Sequence, residues 1–302
     1  MTKKPSRSRV FLISASVFLS VSAILLAWIP SMDFLAPHNP RPTHHRFPDP
    51  LTPMGHRGAA KLAPENTMEG FRISQGHGMG FELDVTLCAS GEVVVIHDDT
   101  LDRTTDGEGL VSDSSLTELK ELDAGSFFSE GFSEARVPTL DEVLTEFGGK
   151  VPINIEIKRA TPPGPLAKAV VALIEKHKLV EEVIVTSFDP YILEQVRLAN
   201  PEIIRGQIYC DFKTADIPVF KKFLLRNLLF NGRSQPDMLM VGKSMVDARY
   251  MRRQHKRGYR IFVWTVNERA EMERLVGLGV DGIITDRPDL LKEVLEERAK
   301  GS

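Results

Sequence analysis

Short apolar segments alternate with amphipathic helical segments along most of this 302-residue chain. Strands that alternate with helices imply successive βα units, which build a parallel sheet with helices packed on it. About eight such units fit a (β/α)8 TIM barrel, an α/β fold in which the parallel strands close into a cylinder. The predicted strands are Met54 alone, Phe81–Leu87, Val93–His97, Ile153–Ile157, Val183–Ser187, Ile203–Ile208, Met238–Val241, Ile261–Val266 and Gly282–Thr285. The predicted helices are 65–76, 139–147, 164–179, 189–199, 216–230, 245–257, 268–277 and 289–299.

A doubly wound parallel sheet is the competing fold. That fold places a glycine-rich phosphate loop, either G-x-G-x-x-G or a P-loop with its lysine, after the first strand. The corresponding turn here reads Gly55-His56-Arg57-Gly58, which matches neither motif. The sequence therefore favours the barrel.

One segment interrupts the alternation. Leu87 and Val93 flank the turn sequence Cys-Ala-Ser-Gly-Glu, so the second barrel strand and the next strand are expected to form a hairpin. Residues 98–137 then contain no clear barrel element. Because excursions of this length are typical of functional lids or inserted subdomains, we expect an insertion after strand 2.

The N-terminal region carries a separate signal. Val10–Ile29 is a run without a charged residue, and at about 1.5 Å per residue it would reach about 30 Å, the thickness of a bilayer core. Four basic residues precede this run, and the first acidic residue, Asp33, follows it. This asymmetry predicts a transmembrane signal anchor at 10–29 with residues 1–9 in the cytoplasm. The rest of the chain would then be extracytoplasmic, in the periplasm or in an extracellular or lumenal space.

Two alternatives to the anchor are a signal peptide cleaved near Ala23 and a buried core helix. Residues 30–51 contain six prolines and no regular apolar period, which is typical of an extended linker. The folded domain is therefore expected to span 52–302.

Charge and cysteine content exclude several classes of protein. The formal net charge is only −3, which is too balanced for a protein that binds nucleic acid by neutralising phosphates. The two cysteines, Cys88 and Cys210, cannot form a disulfide framework. Neither has a cysteine or histidine partner at zinc-site spacing.

Three acidic residues lie on two neighbouring predicted strands. Side chains alternate along a strand, so Glu82 and Asp84 share one face, and Glu156 lies on the polar face of the next strand. The apolar faces must pack on the helices, so these carboxylates are expected to face the barrel mouth. Three oxygen ligands indicate Mg²⁺, Ca²⁺ or Mn²⁺ and not zinc. The alternative is a metal-free network of ion pairs with Arg57 and Lys158.

Two histidines are candidates for proton transfer. His56 and His97 each lie at the end of a predicted strand and beside a loop. The unperturbed pKa of histidine, about 6.5, suits both an acid and a base. Their proximity to three acidic positions favours a catalytic pair over two structural histidines.

The chain resembles the glycerophosphodiester phosphodiesterase family. The resemblance rests on eight segments in the same order along the chain: Gly55–Ala59, Pro64–Thr67, Glu82–Val85, His97–Gly107, Val137–Leu144, Asn154–Lys158, Val263–Asn267 and Gly279–Pro288. It covers the whole domain from about residue 54 to residue 290. The family fold is a TIM barrel with an insertion after strand 2, in agreement with the interruption at 98–137.

The resemblance implies a role for each candidate residue. It implies one divalent cation, Mg²⁺ or Ca²⁺ with Mn²⁺ possible, bound by Glu82, Asp84 and Glu156. It implies His56 and His97 as the general acid and base. On the substrate side it implies Arg57 as a phosphate ligand, Lys158 as a further phosphate or carboxylate partner, and Trp264 beside the glycerol or the leaving group.

The expected activity is metal-dependent hydrolysis of glycerophosphodiesters to glycerol 3-phosphate and an alcohol. One alternative is lysophospholipase D activity on membrane lysophospholipids, whose acyl chains the apolar and basic segment 219–230 could admit from an interface. The other is a membrane-tethered binding protein without catalysis. The expected partners are a small or lysolipid phosphodiester and, through the N-terminal helix, a membrane.

Overall fold

The computed structural model describes residues 38–43, 47, 51–158, 162, 164–211, 219 and 231–300. The predicted transmembrane segment 10–29 lies outside the described residues, and so does the predicted helix 216–230 apart from Val219. Of the helices that are described, none is long and apolar enough to cross a bilayer.

Eight parallel strands close into a barrel, and a ninth strand pairs with one of them in the antiparallel sense. The strands are β1 (Thr52–Gly55), β2 (Gly80–Leu87), β3 (Val93–Val95), β4 (Ile153–Ile157), β5 (Val183–Ser187), β6 (Ile204–Tyr209), β7 (Met238–Gly242), β8 (Arg260–Trp264) and β9 (Gly282–Thr285). β1 pairs with both β2 and β9, which closes the cylinder, and β3 is antiparallel to β2. The predicted barrel and hairpin are confirmed.

Helices follow the strands and surround the sheet. They are α1 (Met68–Gly76), α2 (Leu116–Glu121), α3 (Leu140–Phe147), α4 (Gly164–Lys176), α5 (Pro190–Ala199), α6 (Asn231–Ser234), α7 (Ala248–Lys256), α8 (Arg269–Gly277) and α9 (Pro288–Lys300). The helix predicted over 245–257 is shorter than expected. Asp247 is its N-cap and its carboxylate accepts a hydrogen bond from the Tyr250 N–H, so the preceding residues Lys243–Met245 form a separate 3₁₀ turn.

The buried apolar residues of the barrel form two clusters between the strands and the helices and one cluster inside the barrel. Alternate residues of β2 and β4 point outward and pack against α3 and α4 in a fully buried cluster. The inner cluster fills the barrel axis and includes Met54, Ile184, Met238 and Phe262. Near the mouth, where the strands end, inward acidic residues such as Glu82 and Glu156 lie beside apolar side chains such as Ile208 and Met240.

The insertion between β3 and α3 has its own small core. It contains α2, which begins with a capping box between Ser115 and Glu118, and two 3₁₀ turns, Val111–Asp113 and Glu130–Phe132. Its buried apolar residues include Leu101, Val111 and Leu119. The segment 98–137 is thus a packed unit beside the mouth.

Part of the predicted proline-rich linker packs against the barrel. Arg41 donates two hydrogen bonds to the carboxylate of Asp237, from Nε at 2.9 Å and from Nη2 at 2.8 Å. Phe47 is fully buried within the inner core. We call residues 38–43 together with 47 the strap. An extended linker was expected here, whereas the described residues of the strap are held in place.

Candidate active site

The turn after β1 carries the first two candidate residues. His56 and Arg57 stand between Gly55 and Gly58. A Cβ on Gly55 would lie 1.6 Å from the Gly58 carbonyl oxygen, and Gly58 has φ +90°, so a larger side chain at either position would disturb the turn. The turn lets the Arg57 N–H donate to Glu82 Oε2 at 2.9 Å. The HRG sequence therefore fixes one acidic residue as well as presenting its own side chains.

The three acidic residues meet at the mouth of the barrel. Asp84 and Glu156 are direct neighbours in the β2–β4 register, so their side chains point the same way. One carboxylate oxygen from each of Glu82, Asp84 and Glu156 lies within 4.8 Å of the others. Glu82 and Asp84 are buried, at 4% and 1% exposure. The structure brings together the three residues that the strand periodicity put on one face.

Two cations lie against these carboxylates. Lys158 Nζ is 3.3 Å from Asp84 Oδ1 and 3.2 Å from Glu156 Oε1. Arg57 Nε is 3.4 Å from Asp84 Oδ2. Arg57 and Lys158, two of the three residues predicted to contact substrate, therefore lie against the acidic residues. Each retains donors that could reach a phosphoryl oxygen.

Burial and mutual repulsion shift the pKa values of the acidic residues apart. Burial, and then the charge of Asp84, raise the pKa of Glu82 to about 8. The same two causes raise the pKa of Glu156 to about 7. Burial opposes ionisation of Asp84 as well, but Lys158 and Arg57 outweigh it and lower the pKa of Asp84. Lys158 and Arg57 thus do not offset the three carboxylates, and a further positive charge is favoured at this place.

His56 is held by a partner from the other end of the chain. Its Nδ1 lies 2.7 Å from Asp286 Oδ1, and Asn267 Nδ2 donates to Asp286 Oδ2 at 2.6 Å. Burial alone would lower the pKa of His56, but Asp286 and the charge of Glu82 outweigh it and raise the pKa. The free Nε2 is 4.0 Å from Glu82 Oε2, so it faces the acidic cluster.

His97 is held in a similar way by its own neighbour. Its Nδ1 lies 2.5 Å from Asp98 Oδ1, and Arg103 Nε donates to Asp98 Oδ2 at 2.6 Å. Burial lowers the pKa of His97 despite the charge of Asp84. The two histidines thus have pKa values displaced in opposite directions.

Glu65 connects the insertion to the phosphate-binding candidate Arg57. It accepts from Arg57 Nη1 at 2.7 Å and from both terminal nitrogens of Arg103 at 2.8 Å. Glu65 therefore holds the Arg57 side chain in place from the side of the insertion.

The cavity at the mouth has a charged half and an apolar half. It measures about 100 Å³ and is lined on one side by His56, Arg57, Glu82, His97 and Glu156. The opposite side is formed by Phe188, Ile208, Met240, Trp264 and Ile284. The rings of Phe188 and Trp264 meet edge to face at 5.6 Å, and the buried Trp264 Nε1 has no hydrogen-bond partner among the described residues. This cavity would accept a molecule with an anionic end and a carbon-rich end.

Sequence reasoning missed four residues of this site: Asn267, Asp286, Asp98 and Arg103. All four lie within the segments on which the family resemblance rests. Asp286 also follows the last residue of β9 directly. Its position at a strand end was the available signal, because ionisable residues at strand ends converge on the mouth.

Several known proteins are similar to this chain. A profile of the Glycerophosphoryl diester phosphodiesterase family matches residues 56–290. A glycerophosphodiester phosphodiesterase of Caldanaerobacter subterraneus subsp. tengcongensis is 38% identical over 244 residues, which are 79% of this chain and 95% of that protein. One from Bacillus subtilis is 33% identical over 268 residues, covering 82% of this chain and 87% of that protein.

Solved structures show the same fold. A phosphodiesterase of Oleispira antarctica in complex with the product sn-glycerol-3-phosphate superposes with a TM-score of 0.71 at 27% identity, covering 84% of this chain and 99% of that chain. A glycerophosphodiester phosphodiesterase of Thermotoga maritima superposes with a TM-score of 0.64 at 29% identity, covering 81% and 98%. The chain is an enzyme that belongs to the glycerophosphodiester phosphodiesterase family.

Proposed function

We propose that this enzyme hydrolyses glycerophosphodiesters to glycerol 3-phosphate and an alcohol, using one divalent cation and the His56–His97 pair. The observation that carries the proposal is the convergence of three carboxylates, two of them buried, beside two histidines whose Nδ1 atoms are already occupied. Each Nε2 is then left for the substrate. Proton transfer and charge neutralisation would then act on the same small volume.

The acidic residues suit a hard divalent cation. Their carboxylate oxygens lie close enough together for one ion. Glu82 Oε1 is buried and has no hydrogen-bond partner among the described residues, which is costly unless something positive satisfies it. A divalent ion held by Glu82, Asp84 and Glu156 would withdraw charge from the phosphoryl oxygens. The metal-free network of ion pairs is less favourable, because Arg57 and Lys158 leave the raised pKa values of Glu82 and Glu156 in place.

Arg57 and Lys158 would bind the phosphate. Arg57 is fixed through Glu65, so its guanidinium is preorganised to donate to phosphoryl oxygens as negative charge builds up. Lys158 adds a second positive charge at the same edge of the cavity. Trp264 would pack against the glycerol or the leaving alcohol, with its unpartnered Nε1 facing a hydroxyl group.

The histidines would move the protons. One takes a proton from the attacking water, or from a glycerol hydroxyl if attack is internal, in which case a cyclic phosphate forms first. The other protonates the departing alkoxide, which is a poor leaving group without an acid. Asp286 and Asp98 hold the two rings, so that each presents Nε2 to the reacting atoms.

The direct test is turnover of glycerophosphocholine by the purified protein. Glycerol 3-phosphate should form, EDTA should abolish the reaction, and Mg²⁺, Ca²⁺ or Mn²⁺ should restore it. In Glu82→Gln the added cation should not restore turnover. The control Glu108→Gln, a substitution on the exposed surface, should behave as the parent. Chelator-resistant turnover would refute metal dependence.

A parallel assay with lysophosphatidylcholine tests the lysophospholipase D alternative, which uses the same chemistry with an acylated glycerol. Glycerophosphoethanolamine compared with glycerophosphocholine tests the preference for the head group. Hydrolysis of the lysolipid at a rate above that of both soluble diesters would favour the alternative.

We also propose that residues 10–29 anchor the enzyme in a membrane, with the barrel extracytoplasmic. The support is the uncharged run and the basic residues before it. Protease added to intact spheroplasts should cleave after Ile29, and high salt should not release the protein. Release of a soluble protein trimmed near Ala23 would show a cleaved signal peptide.

A further inference from the structure

The strap binds the face of the barrel opposite the active site. His38 Nε2 lies 2.9 Å from the Pro236 carbonyl oxygen. Arg41 pairs with Asp237 and donates to the Ile203 carbonyl oxygen at 2.9 Å. Pro236, Asp237 and Ile203 directly precede strands β7 and β6, so they lie where strands begin. The strap therefore covers the bottom of the barrel.

The strap is built into the barrel and not merely laid against it. Phe47 is fully buried among residues of the inner core, and Arg260, the first residue of β8, donates to its carbonyl oxygen. The Asp237 side chain is 0% exposed, so the loss of Arg41 would leave a buried carboxylate short of a partner. The strap also lies before the segment that matches the family profile, residues 56–290.

A basic surface adjoins the strap at the bottom. α7 runs from the mouth to the bottom, and Arg253, Lys256 and Arg257 are exposed at its lower end. None of the three forms an ion pair with another residue in the part of the chain that the structure describes. The Arg257 guanidinium lies 5.5 Å from the centre of the Tyr259 ring, and the His38 ring lies 6.5 Å from the same ring. Cations and strap thus form one continuous surface.

The length of chain before the strap limits which face of the barrel can lie against the membrane. Nine peptide steps separate Ile29 from His38, and at 3.3–3.6 Å per step they span at most about 32 Å. A domain of about 250 residues has a radius of gyration of about 18 Å, and hence a diameter of about 46 Å. If the mouth lay on the membrane, His38 would be about 46 Å above it. The tether is too short for that arrangement.

We propose that the strap and the basic end of α7 form the membrane-facing surface of this enzyme, and that its partner is a layer of anionic phospholipid headgroups. This inference rests on the proposed function and on the proposed anchor at 10–29. The mouth then opens away from the bilayer. The enzyme takes water-soluble glycerophosphodiesters from the aqueous phase and not lysophospholipids from the bilayer that holds it.

The test measures which face is near the membrane. The full chain with Cys210→Ser, which leaves only the buried Cys88, is labelled with a fluorescent donor at Lys150→Cys or at Ser244→Cys. Lys150 precedes β4 at the bottom, Ser244 follows β7 at the mouth, and both are exposed. The chain is placed in phosphatidylcholine–phosphatidylglycerol vesicles that contain rhodamine-labelled lipid. Because the two faces are about 46 Å apart, energy transfer should be at least about twofold higher from position 150.

Variants separate the tether from the charges. The double variant Arg253→Glu/Lys256→Glu should lower energy transfer from position 150 in these vesicles. In vesicles of pure phosphatidylcholine it should have no effect. The control Lys243→Glu, a charge reversal on the mouth side, should have no effect in either kind of vesicle. A Gly/Ser insertion of about 20 residues after Asp33, which adds up to about 70 Å, should remove the difference between the two positions. It should also raise hydrolysis of lysophosphatidylcholine held in the same vesicles.

Equal or reversed transfer from the two positions would overturn the proposal, and so would release of the chain from the vesicles by alkaline carbonate. An unchanged difference in the insertion variant would contradict the tether argument. Turnover of external glycerophosphocholine is recorded on the same vesicles. Absence of this turnover would refute the proposed function, whereas the energy transfer would still report which face of the barrel lies near the membrane.

Discussion

The buried carboxylates should make the metal-free enzyme lose stability as the pH rises. The pKa of Glu82 is raised to about 8, chiefly by burial and then by the charge of Asp84. A carboxyl group whose pKa is raised on folding contributes stability that is fully present below its unfolded value, about 4.5, and is lost as the pH rises through the folded value. At about 1.4 kcal/mol per pH unit, Glu82 accounts for at most about 5 kcal/mol between pH 4.5 and 8.

The substitution Glu82→Gln isolates this contribution. An amide stays neutral at every pH and can still accept from the Arg57 N–H, as Oε2 of Glu82 does. Its NH₂ group would occupy the place of Oε1, which has no hydrogen-bond partner among the described residues, at a cost of about 1–3 kcal/mol. The metal-free variant should therefore be more stable than the parent at pH 8, by up to about 2–4 kcal/mol. For a domain of this size each kcal/mol corresponds to about 2–4 °C in Tm.

The assay is thermal unfolding in EDTA at pH 5 and pH 8, repeated with Mg²⁺ or Ca²⁺. The parent should lose Tm between pH 5 and 8 in EDTA and recover it with the cation, because the bound ion displaces the protons. Glu82→Gln should show a smaller loss and no recovery, and the exposed control Glu108→Gln should follow the parent. A Tm of Glu82→Gln below that of the parent at pH 8 in EDTA, or parallel pH dependences, would refute the reasoning.

Three further substitutions test the proton path. His97→Ala should lower kcat by about 10²–10⁴ with unchanged Tm, as expected for a general acid or base; near-normal turnover would remove His97 from the mechanism. In Asp286→Asn, the limb of the kcat/KM pH profile that reports His56 should move to lower pH, because the hydrogen bond and the charge that raise the pKa of His56 are lost. An unmoved limb would contradict the pairing of His56 with Asp286. Arg103→Met should lower kcat by about 10–100-fold, the usual effect of losing a residue that orients a catalytic group, because Asp98 would no longer be held. A loss of kcat below about twofold would make Arg103 purely structural.

The barrel and the acidic cluster could be predicted because both follow from local periodicity. Alternation along β2 and β4 assigns one face to Ile, Leu, Phe and Val and the other to Glu82, Asp84 and Glu156. Helix packing then requires the apolar face to be outside. The sequence therefore predicts which residues converge, and one carboxylate oxygen of each of the three lies within 4.8 Å of the others.

The partner of His56 could not be predicted in the same way. His56 and Asp286 are separated by 230 positions, and they meet only because the last barrel strand closes against the first. Nothing in the local sequence of either residue specifies the other. The strap had a different obstacle, because its proline content indicates an extended segment and contains no information about where that segment binds.

Register links the fold of this enzyme to its site. Asp84 pairs with Glu156, and the flanking pairs Leu83–Ile155 and Val85–Ile157 point to the helices. A slip of one residue between these strands would turn one of the acids toward the helix layer and one of the isoleucines into the mouth. The cost of burying that acid among apolar side chains would be several kcal/mol. The outer core therefore enforces the register that brings like charges together. Burial and the charge of Asp84 raise the pKa values of Glu82 and Glu156, and both effects favour a cation in the mouth.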